Sequence, residues 1–231
     1  MKMIRFLYHT YGIRNIRILD DNFLLNRKRT IDICEMLVQE NLDLTFSCLS
    51  RIDTINPEIL TLLKKAGCWQ LIYGIESGAQ KILDAVKKRI TLQQIEKALK
   101  LTKKAGIKSL GYFMIGFPME TVETIRETID FALRLPLDDF KMNILTPFPG
   151  SELYKTAHKF GEFNHDWRKM NMYIKPCFVP SSLTSEQIVA ARKKAFRQFY
   201  FRSRIVMEYL SRIKNPIHLF KLFDINYSIQ N

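Results

Sequence analysis

Five short apolar runs recur along the chain, at residues 16–19, 44–49, 69–75, 110–115 and 140–145. Between them, apolar residues return every three or four positions. Ile31, Cys34, Leu37 and Val38 share one helical face, as do Ile59, Leu62 and Leu63, then Ile95, Leu99 and Thr102, then Ile125, Ile129 and Leu133. Strand-length runs alternating with helix-length amphipathic segments predict parallel strands joined by right-handed helical crossovers. Five such units make either an open doubly wound sheet or most of a barrel.

Helix punctuation supports the alternation. Asn56-Pro57 places a capping side chain before a proline at the first helical position. Ser77-Gly78-Ala79-Gln80, Thr91-Leu92-Gln93-Gln94 and Thr184-Ser185-Glu186-Gln187 fit the capping box, a hydroxyl residue with glutamine three positions on. Lys64-Lys65-Ala66-Gly67 and Lys103-Lys104-Ala105-Gly106 put cations in a last turn and glycine just past it. These two stops head an internal echo, KKAGCWQLIYGIESG and KKAGIKSLGYFMIGFP, as a repeated helix-then-strand unit should. After Ser151 the pattern changes to a short helix, an aromatic and polar stretch, and a long helix predicted from Thr184 to Ile213. A terminal PIHLFKLF follows Pro216. We divide the chain into residues 1–155 and a helical extension, 156–231.

Composition narrows the class. With 231 residues and 47% hydrophobic content, the chain can bury a substantial core. No apolar stretch approaches the ~20 residues of a membrane-spanning helix. The opening MKMIRFLYHTYGIRN lacks a secretory leader pattern, so a cytoplasmic location is expected. The net charge is +13, and nine Lys and Arg against Glu208 and Asp224 concentrate it beyond residue 191. There, basic residues interleave with Phe196, Phe199, Tyr200 and Phe201, a composition that also suits a nucleic acid or an anionic membrane surface. The preferred expectation is an aromatic face packed on the body with its charges in water. Cys34, Cys48, Cys68 and Cys177 form no CxxC or CxxxCxxC and are expected as buried, reduced thiols that do not converge on a metal.

In parallel β/α folds, chemistry collects where strands end and helices begin. Every run here exits on polar or glycine-bearing residues: Asp20-Asp21-Asn22-Phe23; Ser50-Arg51-Ile52-Asp53; Gly74-Ile75-Glu76-Ser77-Gly78; Gly116-Phe117-Pro118 with Glu120; and Asn143 and Thr146 before Pro147-Phe148-Pro149-Gly150. Any one of these is ordinary loop chemistry. Together at one mouth they suit a polar ligand carrying both an amine and a carboxylate.

DDNF, LSRID, GIESG, GYFMIGFP and TPFPGSELY, in that order, resemble the radical S-adenosylmethionine (SAM) enzymes, and within them the branch often associated with a cobalamin-binding domain. The resemblance implies an α/β fold, a partial TIM-type (β/α) barrel represented here by its second to sixth strands, followed by the helical extension. It implies that Glu76 meets the ribose hydroxyls of SAM, with Ser77 at a supporting helix N-terminus. Asp20 and Asp21 would hold the amino group and Arg51 the carboxylate. The backbone of Gly116, Phe117 and Pro118 would lie against adenine, with Thr146 closing the site. The family's [4Fe–4S] cluster is bound by a CxxxCxxC loop after the first barrel strand, a motif this chain lacks. The expectation is therefore a truncated form, inactive alone, with a free edge beside residues 16–19. An N-terminal cobalamin-binding domain or a partner chain would complete the barrel. The small-molecule substrate is left open.

Overall fold

A computed structural model describes residues 1–211. The predicted PIHLFKLF segment, His218, Arg212, Ile213, Lys214 and Lys221 lie outside the described residues. The elements alternate as expected: α1 (Lys2–Tyr11), β1 (Asn15–Ile18), α2 (Arg27–Glu40), β2 (Thr45–Ser50), α3 (Pro57–Lys65), β3 (Cys68–Glu76), α4 (Gln80–Ala85), α5 (Leu92–Lys104), β4 (Lys108–Ile115), α6 (Val122–Arg134) and β5 (Asp139–Ile144). All five strands are parallel and pair in chain order. Their carboxyl ends therefore share one side. The sheet curls into a half-barrel: the Arg17 guanidinium on β1 donates to the Tyr112 hydroxyl on β4 at 3.3 Å, across two intervening strands.

Alternation along each strand separates two layers. Phe46, Cys48, Leu71, Tyr73, Ile75, Phe113, Ile115, Phe140, Met142 and Ile144 are buried in the main core with Leu37, Leu63, Leu99 and Ile129 of the helices. Polar Tyr73 is accommodated because its hydroxyl meets Thr102 of α5 at 2.7 Å. The expected caps form at Asn56, Thr91 and Thr184, the last two as full capping boxes. Gly67 ends its turn at φ +95°, and a Cβ there would stand 2.4 Å from the Leu44 carbonyl oxygen. No larger residue fits without moving β2.

Two helix expectations need correction. Ser77 does not cap the helix after β3. That helix starts only at Gln80, with Ala79 as its extended cap residue. Ser77 is instead buried, its hydroxyl 2.9 Å from Thr128 Oγ1 and accepting from the Ala79 amide. The long terminal helix is also broken, into α8 (Ser185–Tyr200) and α9 (Ser203–Ser211). These follow α7 (Glu152–Thr156) and a small antiparallel pair, β6 (Gly161–Phe163) with β7 (Phe178–Pro180). At the break, Arg202 folds over the Phe199 ring, 3.8 Å from its centroid, and donates to the Leu133 carbonyl. The phase therefore shifts by one residue: Ile205 is buried while Val206 faces outward.

The two sheet edges differ. α8 seals β5 through a Phe140–Phe199 stack at 4.9 Å, Arg192 Nε donating to the Met142 carbonyl and the Tyr200 hydroxyl donating to the Phe140 carbonyl. The Ile144 amide is met by the Met172 carbonyl. Several basic residues of the tail are thus engaged in packing: Arg192, Arg202 and Arg204 all donate to backbone carbonyls. Among the described residues β1 has only β2 as a strand neighbour. No helix among them is long and apolar enough to cross a membrane.

Candidate functional site

The sheet's carboxyl rim is organised around Glu76, the last residue of β3. A register shift between Gly74 and Glu76 bulges the strand, and Glu76 takes φ +69°, a conformation costly for a residue with a side chain. This geometry turns the carboxylate back over Gly74. A Cβ at Gly74 would come within 2.8 Å of Glu76 Oε1 and 3.2 Å of Lys88 Nζ. Lys88 donates to Glu76 Oε1 at 2.8 Å, and both side chains are largely but not fully buried. The turn that presents Lys88 is itself strained, with Lys87 and Arg89 at φ +55° and +58° and the Lys88 amide bonded to the Leu83 carbonyl. Three left-handed non-glycine residues around one ion pair show a position over-determined by its surroundings.

Arg51, at the end of β2, reaches the same cluster. Its guanidinium pairs with Asp53 at 2.8 Å and approaches the Lys88 carbonyl at 3.5 Å. The Arg51 hydrogen bonds hold the Asp53 carboxyl below its ordinary range and raise the guanidinium in turn. After β1, Asp20 accepts from the Asn22 amide through one oxygen and pairs with Arg29 at 2.6 Å through the other. Asp21 is exposed. Beside them, Asn22 Oδ1 is buried with no protein partner among the described residues, an orphaned acceptor at the rim.

The ends of β4 and β5 form a second group, joined by the Leu145 amide donating to the Ile115 carbonyl at 2.8 Å. Gly116 sits at φ +92°. Its amide and that of Phe117 both donate to Glu120 Oε2, the latter at 3.1 Å. Glu120 is fully buried and its Oε1 has no partner among the described residues, so desolvation pushes the carboxyl up to about 7 against the pull of those two amides. Phe117 is packed with Ala79, Ile82, Leu145 and Phe178, so its ring belongs to a small satellite core, while Pro118 is partly exposed. Thr146 is buried, with its hydroxyl on the Ile144 carbonyl at 3.3 Å. Of the sequence-predicted residues, the structure links Arg51 directly to the Glu76–Lys88 cluster and groups Gly116, Phe117 and Thr146. It withdraws Ser77 into the core.

Cys34, Cys48, Cys68 and Cys177 are buried and free, as expected. Among the described residues no group of three His, Cys, Asp or Glu could hold a metal ion. Cys34, Cys48 and Cys68 belong to the main, helix-facing core, where burial pushes the Cys34 thiol up to about 12 and the Cys48 thiol is raised by Cys68 and by burial. Thiols buried in the helix-facing layer, away from the carboxyl rim of the strands, do not fit a cluster that must stand beside SAM.

Comparison with known proteins decides the family. The model of the radical SAM superfamily matches residues 1–132, more than half of the chain. This chain belongs to the radical SAM superfamily. Among curated relatives, it is 40% identical over 203 residues to the uncharacterized methyltransferase PH0819 of Pyrococcus horikoshii, covering 87% of this chain and 44% of the relative. It is 29% identical to the anaerobic magnesium-protoporphyrin IX monomethyl ester cyclase of Rubrivivax gelatinosus, covering 82% and 34%. The chain thus spans less than half the length of these relatives. Its fold matches the radical SAM methyltransferase TsrM from Kitasatospora setae (TM-score 0.66, 16% identity, 85% of this chain and 45% of that one). It also matches the cobalamin-dependent SAM radical enzyme OxsB (TM-score 0.66, 19% identity, 99% and 40%).

Sequence reasoning named Glu120 at this rim but not its inward turn, and missed Lys88 and the Arg17–Tyr112 contact in the hollow. Lys88 stood inside the basic run Lys87-Lys88-Arg89, which reads as a solvated face until the turn folds it inward. Glu120 was visible after the glycine turn but carried no sign that its side chain points back. The Arg17–Tyr112 contact depends on curl, which no local pattern encodes.

Proposed function

We propose that this chain is the SAM-binding half-barrel of a radical SAM enzyme related to methyltransferases and cyclases, and that Glu76 grips the ribose of SAM. The supporting observation is the Glu76 carboxylate, turned over Gly74 at the carboxyl end of the sheet and held by Lys88. A carboxylate accepts both hydroxyl protons of a ribose. Binding would exchange the Lys88 ion pair for those hydrogen bonds and leave the ammonium to face the ligand's carboxylate, together with Arg51. Asp20 and Asp21 would serve the amino group. The Gly116–Pro118 backbone would lie along adenine, with Thr146 behind it. Ser77 has no part in the contact. When bound, SAM supplies the methyl or 5′-deoxyadenosyl group that the family's chemistry uses.

The cluster is another matter. The buried cysteines do not suit it, so we assign this chain the nucleotide grip and derive no step through iron. The open side of β1 is where a strand from another segment or chain would pair, and a cobalamin-binding domain is the partner we propose for the mouth. Isothermal titration of the chain with SAM and with S-adenosylhomocysteine tests the reading. Binding weakened at least about tenfold in Glu76→Gln, a loss of roughly 1.4 kcal/mol, is expected. Equal affinity in the variant would overturn it. Iron measured after anaerobic reconstitution should stay far below one cluster per chain.

A further inference from the structure

The concave face of the sheet carries positive charge that the SAM grip leaves unused. Cα partners on adjacent parallel strands project to the same face. Arg17 touches the Tyr112 hydroxyl at 3.3 Å, so both project into the hollow. Lys141 is the register partner of Tyr112 on β5, one strand spacing away, and Gly74 is its partner on β3. Arg17 and Lys141 are exposed, and neither has an acidic partner among the described residues. Of the acids that share this face, Glu76 is paired with Lys88, while Asp139 accepts from the neutral Tyr200 hydroxyl and keeps its charge two residues before Lys141. Lys108, lower on the same face, is neutralised by Glu208 of α9. Two cations without a salt bridge among the described residues thus stand on this face, Arg17 bonded to the Tyr112 hydroxyl and Lys141 on the neighbouring strand, beside the glycine over which the Glu76 carboxylate is folded.

We propose that Arg17, Tyr112 and Lys141 form the substrate's anchoring site and select a molecule bearing an oxyanion, a carboxylate, phosphate or phosphonate, held in the hollow next to SAM. The proposal rests on the SAM reading for its neighbour but not for its own ligand. A guanidinium offers two parallel N–H donors to an oxyanion, the phenol a third, and the ammonium a point charge from the opposite side. With the substrate tied down by its anionic group, its remainder would extend toward the Glu76 end of the sheet. That arrangement positions a reacting carbon without any group on this face doing chemistry.

The test uses methylphosphonate and propionate as probes, with tetramethylammonium as the cationic control. Binding to the full chain is followed by amide chemical shifts. Saturable shifts at β1, β4 and β5 with both anions and none with the cation are expected. Arg17→Gln/Lys141→Gln should weaken them at least tenfold, and the charge-preserving Arg17→Lys/Lys141→Arg should restore much of the loss. Far-UV circular dichroism confirms that each variant is folded. Absent saturation, or equal anion affinity in the glutamine variant, overturns the proposal. A further arm repeats the titration with saturating SAM. Simultaneous binding supports a separate substrate anchor, while displacement of the anion by SAM would mean that these residues serve the cofactor's own carboxylate and overturns the assignment. SAM and the anions are titrated separately, so failure of the SAM grip and failure of the anchor read out separately.

Discussion

Replacing Glu120 with glutamine should flatten a definite part of the protein's pH dependence. The carboxyl is fully buried and has moved from 4.5 to about 7, chiefly through desolvation. A shift of that size corresponds to roughly 3 kcal/mol between its two protonation states. Below about pH 4.5 the group is neutral both folded and unfolded, and its burial carries no ionisation cost. Between 4.5 and 7 folding takes up a proton, so stability falls as the pH rises. Above about 7 the loss levels off near 3 kcal/mol. Glutamine keeps an oxygen for the Gly116 and Phe117 amides but cannot ionise. Its unpartnered amide group adds a cost that is the same at every pH. Urea unfolding of both proteins, followed by far-UV circular dichroism from pH 5 to 8.5, isolates the effect as the difference between the two curves. Wild type should lose about 2.5 kcal/mol more than Glu120→Gln across that interval. Parallel curves would refute the claim that this carboxyl holds the β4 turn in a water-poor pocket.

Two other substitutions or treatments probe the frame behind the site. Gly78→Ala would bring a Cβ to 2.5 Å from Phe131 Cβ and 2.8 Å from the Thr128 backbone. A loss of roughly 1–3 kcal/mol is expected from this overpacking, and an unchanged thermal midpoint would count against the packing of α6 on the GIESG turn. The Cys34 thiol, raised to about 12, should resist iodoacetamide at pH 8 until the protein is denatured. Rapid labelling of the native protein would place it outside the core.

Much of the frame was readable before any coordinates, for a physical reason. Strands covered by helices must be apolar over five or six residues, and helix ends must satisfy their own amides, so runs and caps both appear as local patterns. The residues at 45–50 and 108–115 are strands for that reason, and Thr91 and Thr184 cap as their spacing requires. What failed depended on distant partners. Ser77 matches a cap pattern, but Thr128, fifty-one residues away, offers its hydroxyl a buried partner and the helix starts later. The break after Tyr200 follows from Arg202 finding Phe199 and Leu133. The rim carboxylates were visible as strand exits. Their engagement with Lys88 and Arg29 was not, because salt bridges across turns leave no periodic trace.

The division of each strand between a helix-facing layer and an open hollow has an evolutionary consequence. Adjacent residues answer to separate demands, so the hollow can be rewritten for new molecules at alternate positions while melting behaviour stays with the residues in between. Single substitutions at Arg17 or Lys141 are cheap experiments for such a lineage. A one-residue insertion within β4 would exchange the two sets at once, exposing Phe113 and burying Lys-neighbouring Tyr112 among the helices.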